Sequence, residues 1–153
     1  MKSNSSLESI EGVILKKLNQ IGDNRGTILH MLRNDDALFS HFGEVYFSEI
    51  YPGAIKAWKY HHKQTQNIAV PIGSVKFVIY DDRPSSGTYK KIQVLDLGRP
   101  DNYLRLTIPP CLWYGFTCVS NVPALLVNCA DIPHSPEESV IKEISNSSIP
   151  YKW

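Results

Sequence analysis

At 153 residues, with 42% hydrophobic and 20% charged side chains, the chain has the composition of an ordinary globular protein and the length of one domain. A domain of that size buries about 70% of the surface of its unfolded chain, enough to build a core. The formal net charge of +1 supplies no field to recruit nucleic acid or an acidic membrane, and no run of about 18 apolar residues is present to span one.

The start, MKSNSSLESIEG, is polar and lacks the apolar stretch of a signal peptide, so a cytoplasmic location is expected. VILKKL (13–18) and TILHML (27–32) alternate apolar and polar residues and read as strands around an IGDNRG turn (21–26). RNDDALFSHFG (33–43) is the best helix candidate, with Asn34 or Asp35 as N-cap and Gly43 as terminator. Eight further strands are predicted at 44–51, 54–61, 66–72, 74–82, 89–97, 102–108, 112–119 and 124–130, separated by Pro-, Gly- and Asn-containing turns. Many short strands at such spacing predict an antiparallel sandwich or barrel. The stretch after Asp131 is rich in Pro and Ser, with room for one short helix, and is expected to lie over the barrel or against a partner. One domain over 1–153 follows, with a core at 13–131 and a C-terminal segment at 132–153. Cys111, Cys118 and Cys129 form no Cys-x-x-Cys pair and read as reduced thiols.

The frame from Gly53 to Gly73 has the spacing of the first cupin motif, with Lys59, His61 and Gln66 at its three inner positions. Metal-binding cupins place two histidines and a glutamate there, and a further histidine where this chain has Tyr114. One imidazole among four positions predicts no metal and no other cofactor. Lys59 and His61 are two residues apart, so on a strand they share a face, which the cupin frame makes the barrel interior.

Five segments in order extend the resemblance. They are GDNRG (22–26), GAIKAWK (53–59), GSVKFVIYDDR (73–83), IPPCLWYGF (108–116) and DIPHSPE (131–137). Together they resemble the dTDP-4-dehydrorhamnose 3,5-epimerase family, cupin jelly rolls acting on nucleotide-linked 4-keto-6-deoxy sugars. The resemblance implies an all-β double-stranded β-helix, a homodimer, a nucleotide-diphosphate sugar as ligand, and a role in surface-polysaccharide synthesis such as that of O-antigen. In the family a histidine base, an enolate-stabilising lysine and a tyrosine acid carry the chemistry. Here those positions fall on Lys59, on Gln66, and on Pro133 or His134.

The chemistry therefore has to be reassigned. A lysine is protonated at neutral pH unless burial lowers its pKa by roughly 3 units, so Lys59 reads better as a cation beside a substrate oxygen than as a base. His61 is the better candidate base. Tyr114 and His134 are candidate acids, and Gln66 can donate a hydrogen bond to a keto oxygen. Arg25 and Lys56 match family cations near the diphosphate, and Trp58, like Tyr60 and Trp113, offers a flat face to a sugar or base. Three readings stay open: a metal-free epimerase, a nucleotide-sugar-binding protein without turnover, and a 3,4-ketoisomerase, whose Arg-Gly-x-His-Ala-His strand places its second histidine on His61. A metal-dependent cupin is the outlier.

Overall fold

The computed structural model describes residues 9–153. The described residues form β1 (Ile14–Lys17), β2 (Gln20–Asp23), β3 (Gly26–Leu29), β4 (Glu44–Ile50), β5 (Ile55–His61), β6 (Gln66–Ile72), β7 (Ser74–Tyr80), β8 (Ile92–Gly98), β9 (Leu104–Ile108), β10 (Trp113–Cys118), β11 (Ala124–Ala130) and β12 (Ser139–Ile141), of which β2 begins where a turn was expected and β12 lies in the C-terminal segment where no strand was. They form two five-stranded sheets, β1-β9-β6-β11-β4 and β12-β5-β10-β7-β8, plus the small β2–β3 hairpin. Every ladder between named strands is antiparallel. This is the antiparallel sandwich expected from the strand pattern, in the cupin jelly-roll form that the resemblance implies.

The core lies between the two large sheets. Ile50, Ile68, Val70, Leu106, Ile108 and Leu126 come from the first sheet, and Val75, Phe77, Ile79, Leu97, Tyr114 and Phe116 from the second. Burial of side chains of this size contributes about 1.5–3 kcal/mol each, which is what holds the sheets face to face. A second apolar cluster covers the outer face of the second sheet, where Trp58, Val78, Tyr80 and Trp113 meet Ile149, Tyr151 and Trp153. The C-terminal segment thus packs on its own barrel. β12 pairs with β5, and the Trp58 and Lys142 backbones exchange two hydrogen bonds of 3.0 Å just beyond that ladder.

The expected helix at 33–43 is absent. The segment makes two three-residue turns, Asp36 N–H to Arg33 O (3.2 Å) and Phe39 N–H to Asp36 O (2.9 Å). The Asp36 carboxylate caps Leu38 N–H (3.0 Å), contacts Lys16, and takes two hydrogen bonds of 3.1 Å from the Arg105 guanidinium. Local capping by an aspartate competes with helix formation, and the buried arginine fixes that competition here. Among the described residues the one helical feature is a 3-10 turn, Pro136–Glu138, with proline at its start. None of the described helices is long and apolar enough to cross a membrane.

Candidate active site

A cavity of about 280 Å³ opens between the sheets. Tyr46 and Ser48 of β4, Ile68 of β6, and Leu126 and Asn128 of β11 form one wall. Lys56, Lys59, Tyr114 and Phe116 of β5 and β10, with Ile141 of β12, form the other. Strict alternation would place Lys56 and Lys59 on opposite faces of β5. The ladder to β10 shifts register between Tyr114, paired with Lys59, and Phe116, paired with Lys56, and this extra residue in β5 brings both lysines to the cavity.

Behind the Tyr114 wall lies a chain of three side chains. The Tyr114 hydroxyl is 3.0 Å from His61 Nε2, and His61 Nδ1 is 2.6 Å from Glu138 Oε2. The other carboxylate oxygen of Glu138 accepts the Lys63 and Gln64 backbone N–H groups at 2.7 and 2.8 Å. The 3-10 turn and β12 therefore deliver Glu138 to a histidine 77 residues earlier. Burial lowers the pKa of His61, outweighing the opposite pull of Glu138, with Lys59 and His134 adding to the depression. Burial pushes Glu138 up, but its hydrogen bonds from His61, Lys63 and Gln64 together bring it below its ordinary value. The pair at neutral pH is accordingly a neutral imidazole donating Nδ1–H to a carboxylate, with the Nε2 lone pair turned to Tyr114. Burial raises the Tyr114 pKa well above the ordinary phenol value, so that hydroxyl carries its proton.

Opposite, a row of amides backs the first-sheet wall. Asn128 Nδ2 donates to the Tyr46 hydroxyl at 2.8 Å and to Gln66 Oε1, and Gln66 Nε2 donates to Gln64 Oε1 at 2.7 Å. Gln64 Nε2 in turn donates to the Ile132 carbonyl at 2.6 Å.

Of the residues singled out in the sequence, the structure gathers Lys56, Lys59, His61 and Tyr114 around the cavity. Gln66 is 1% exposed and stands behind the wall with its amide engaged in that row. Trp58 borders the cavity, but its indole is fully buried against Trp153 and Tyr151, so no face of the ring is open to a ligand. Tyr60 and Trp113 pack against each other at an interplanar angle of 38° in the same outer cluster. His134 is exposed on the segment before the 3-10 turn and forms no part of the cavity wall. Arg25 sits at the tip of the β2–β3 hairpin, paired with Asp23 at 2.6 Å and outside the cavity. The sequence reading missed Glu138, Asn128 and Tyr46. Asn128 was detectable as a polar residue on the inward side of an otherwise apolar strand. Glu138 carried no local signal.

The sequence model described as dTDP-4-dehydrorhamnose 3,5-epimerase matches residues 8–153. The chain belongs to that family of isomerases. Its spore coat polysaccharide relative SpsL from Bacillus subtilis (strain 168) is 33% identical over 146 residues, 94% of this chain and 96% of that one. The probable low-salt glycan biosynthesis epimerase Agl13 of Haloferax volcanii is 30% identical over 124 residues, 80% of this chain and 79% of its own. Among solved structures, the dTDP sugar isomerase of Desulfovibrio desulfuricans G20 shares 48% identity and superposes with a TM-score of 0.92, covering 94% of this chain and 92% of that one.

Proposed function

We propose that this protein epimerises a dTDP-linked 4-keto-6-deoxy sugar, without metal, by removing and returning a proton at a carbon beside the keto group. The observation that carries the reading is the Glu138–His61–Tyr114 chain ending at the cavity wall. The carbon acid gives its proton to the Tyr114 oxygen as the Tyr114 proton passes to His61 Nε2, and Glu138 stabilises the imidazolium so formed. The enolate oxygen left on the sugar faces the Lys59 ammonium, which makes no hydrogen bond of its own among the described residues and is free to receive that charge. Lys56 Nζ is held at the cavity by Ser48 Oγ (2.9 Å) and the Glu49 carbonyl (2.6 Å) and offers a cation to the diphosphate.

The donor set favours chemistry without a metal. Both nitrogens of His61 are engaged, and among the described residues no three His, Cys, Asp or Glu side chains are grouped to hold an ion. The relatives' names, spore coat polysaccharide and glycan biosynthesis, support a place in polysaccharide synthesis, and a cytoplasmic location is part of the same proposal. A homodimer is part of the same reading. Ile21 and Ile28 face each other across the hairpin and are 56% and 65% exposed, and Val45 and Phe47 stand exposed on edge strand β4. A second copy covering these residues would also give Arg25 a neighbour other than its own cavity.

The test is solvent exchange. With dTDP-4-keto-6-deoxyglucose in D2O, deuterium enters at C3 or C5 and the inverted sugar accumulates. Tight binding without exchange would reduce the protein to a binder, and a 3-keto product would make it a ketoisomerase.

A further inference from the structure

An epimerase needs two proton-transfer groups, one on each face of the sugar ring, and the Tyr114 chain supplies only one. We propose that Tyr46 is the acid that reprotonates the carbon from the face opposite Tyr114, an assignment that rests on the epimerase reading above.

Position carries the first part of the argument. Tyr114 projects from β10 in the second sheet and Tyr46 from β4 at the edge of the first, and both line the same cavity. A flat ring held between the sheets presents one face to each phenol.

Hydrogen-bond direction carries the second part. The Asn67 backbone N–H can only donate, and at 3.1 Å it meets Asn128 Oδ1. This fixes the Asn128 amide, so the group facing Tyr46 is Nδ2 and the Tyr46 oxygen is an acceptor. The second Asn128 Nδ2 hydrogen goes to Gln66 Oε1, and the row continues through Gln64 to the Ile132 carbonyl with every donor pointing the same way. Tyr46 makes no other hydrogen bond among the described residues, so its own hydrogen is left for the cavity. Asn67 is itself pinned by Thr107 Oγ1 (2.8 Å) and by the Cys129 carbonyl (3.2 Å), so the orientation is anchored at both ends.

The proton balance closes without an oxidant or co-reactant. The C–H bond breaks toward Tyr114, its electron pair forms the enolate, and the enolate carbon takes the Tyr46 proton to make the inverted C–H bond. The phenolate left on Tyr46 keeps the hydrogen bond from Asn128 Nδ2 and regains a proton from water at the cavity mouth, where His61 sheds its own through Tyr114. Burial raises the Tyr46 pKa against the smaller opposing effect of the Asn128 hydrogen bond, with Glu44 adding slightly, so the acid is loaded at neutral pH. On this assignment Asn128 and Gln66 are positioning residues, and Gln66 acts through the amide row.

Tyr46→Phe tests this, because it keeps the ring and removes only the hydroxyl. With dTDP-4-keto-6-deoxyglucose in D2O, formation of inverted product falls about 100-fold or more, while deuterium uptake into recovered substrate of unchanged configuration stays within about 3-fold of the unaltered protein. Two results overturn the assignment: inverted product at near-original rate, or uptake and product falling together. If the unaltered protein takes up no deuterium, it is the epimerase reading that fails.

Discussion

Burial governs the protonation of His61 more than its carboxylate partner does. Its folded pKa lies below the ordinary 6.5, so activity that needs the neutral ring holds through neutral pH and falls only as the pH drops below that value. The same sign applies to stability. Below about pH 6.5 the unfolded chain binds the proton more readily than the folded one, so this group costs stability as acid is added. Glu138→Gln removes the one influence that raises the His61 pKa. A fall in kcat of roughly 10²–10⁴-fold is expected, with the acidic limb of the pH–rate profile moving to lower pH; an unmoved limb would detach Glu138 from the titration. Asp36→Asn leaves the 1% exposed Arg105 without its carboxylate. Urea denaturation should show a loss of roughly 1–3 kcal/mol, since a buried donor is left poorly satisfied. His61 was legible through the cupin resemblance, because it shares a strand face with Lys59 and the cupin frame makes that face the barrel interior. Glu138 was not, since its partnership depends on a 77-residue return of the chain.

Among the elements, β4 shows how a pattern can be read for its face as well as its type. Val45 and Phe47 point outward and Tyr46 and Ser48 inward, the reverse of an ordinary half-buried strand. That inversion marks both the cavity and an uncovered exterior, and alternation alone identified the strand without saying which side was which. The tail was harder still, because β12 is three residues long and owes its existence to β5. Helix propensity misled at 33–43, where a capping aspartate and a buried arginine prevailed. The contact between β10, β5 and the tail is tight at Gly115, where an added Cβ would sit 2.4 Å from Ala57 Cβ and 2.9 Å from the Trp153 ring. Gly115→Ala should therefore lower stability by about 1–3 kcal/mol, measured as the shift of the denaturation midpoint.

Taken as a whole molecule, the protein leaves the apolar residues Ile21 and Ile28 of the hairpin and Val45 and Phe47 of edge strand β4 in water. Sedimentation at micromolar concentration should give the mass of a dimer. Phe47→Asp should return monomers with an unchanged circular dichroism spectrum, and a monomer before the substitution would remove the homodimer from the proposal. The outer aromatic cluster has a spectroscopic consequence as well. All three tryptophans of the chain, Trp58, Trp113 and Trp153, lie in it, around the segment that carries Glu138. Intrinsic fluorescence of this protein is thus a gauge of whether the tail is seated, and a titration that bleaches or shifts that emission reports the carboxylate leaving its histidine before any loss of the barrel.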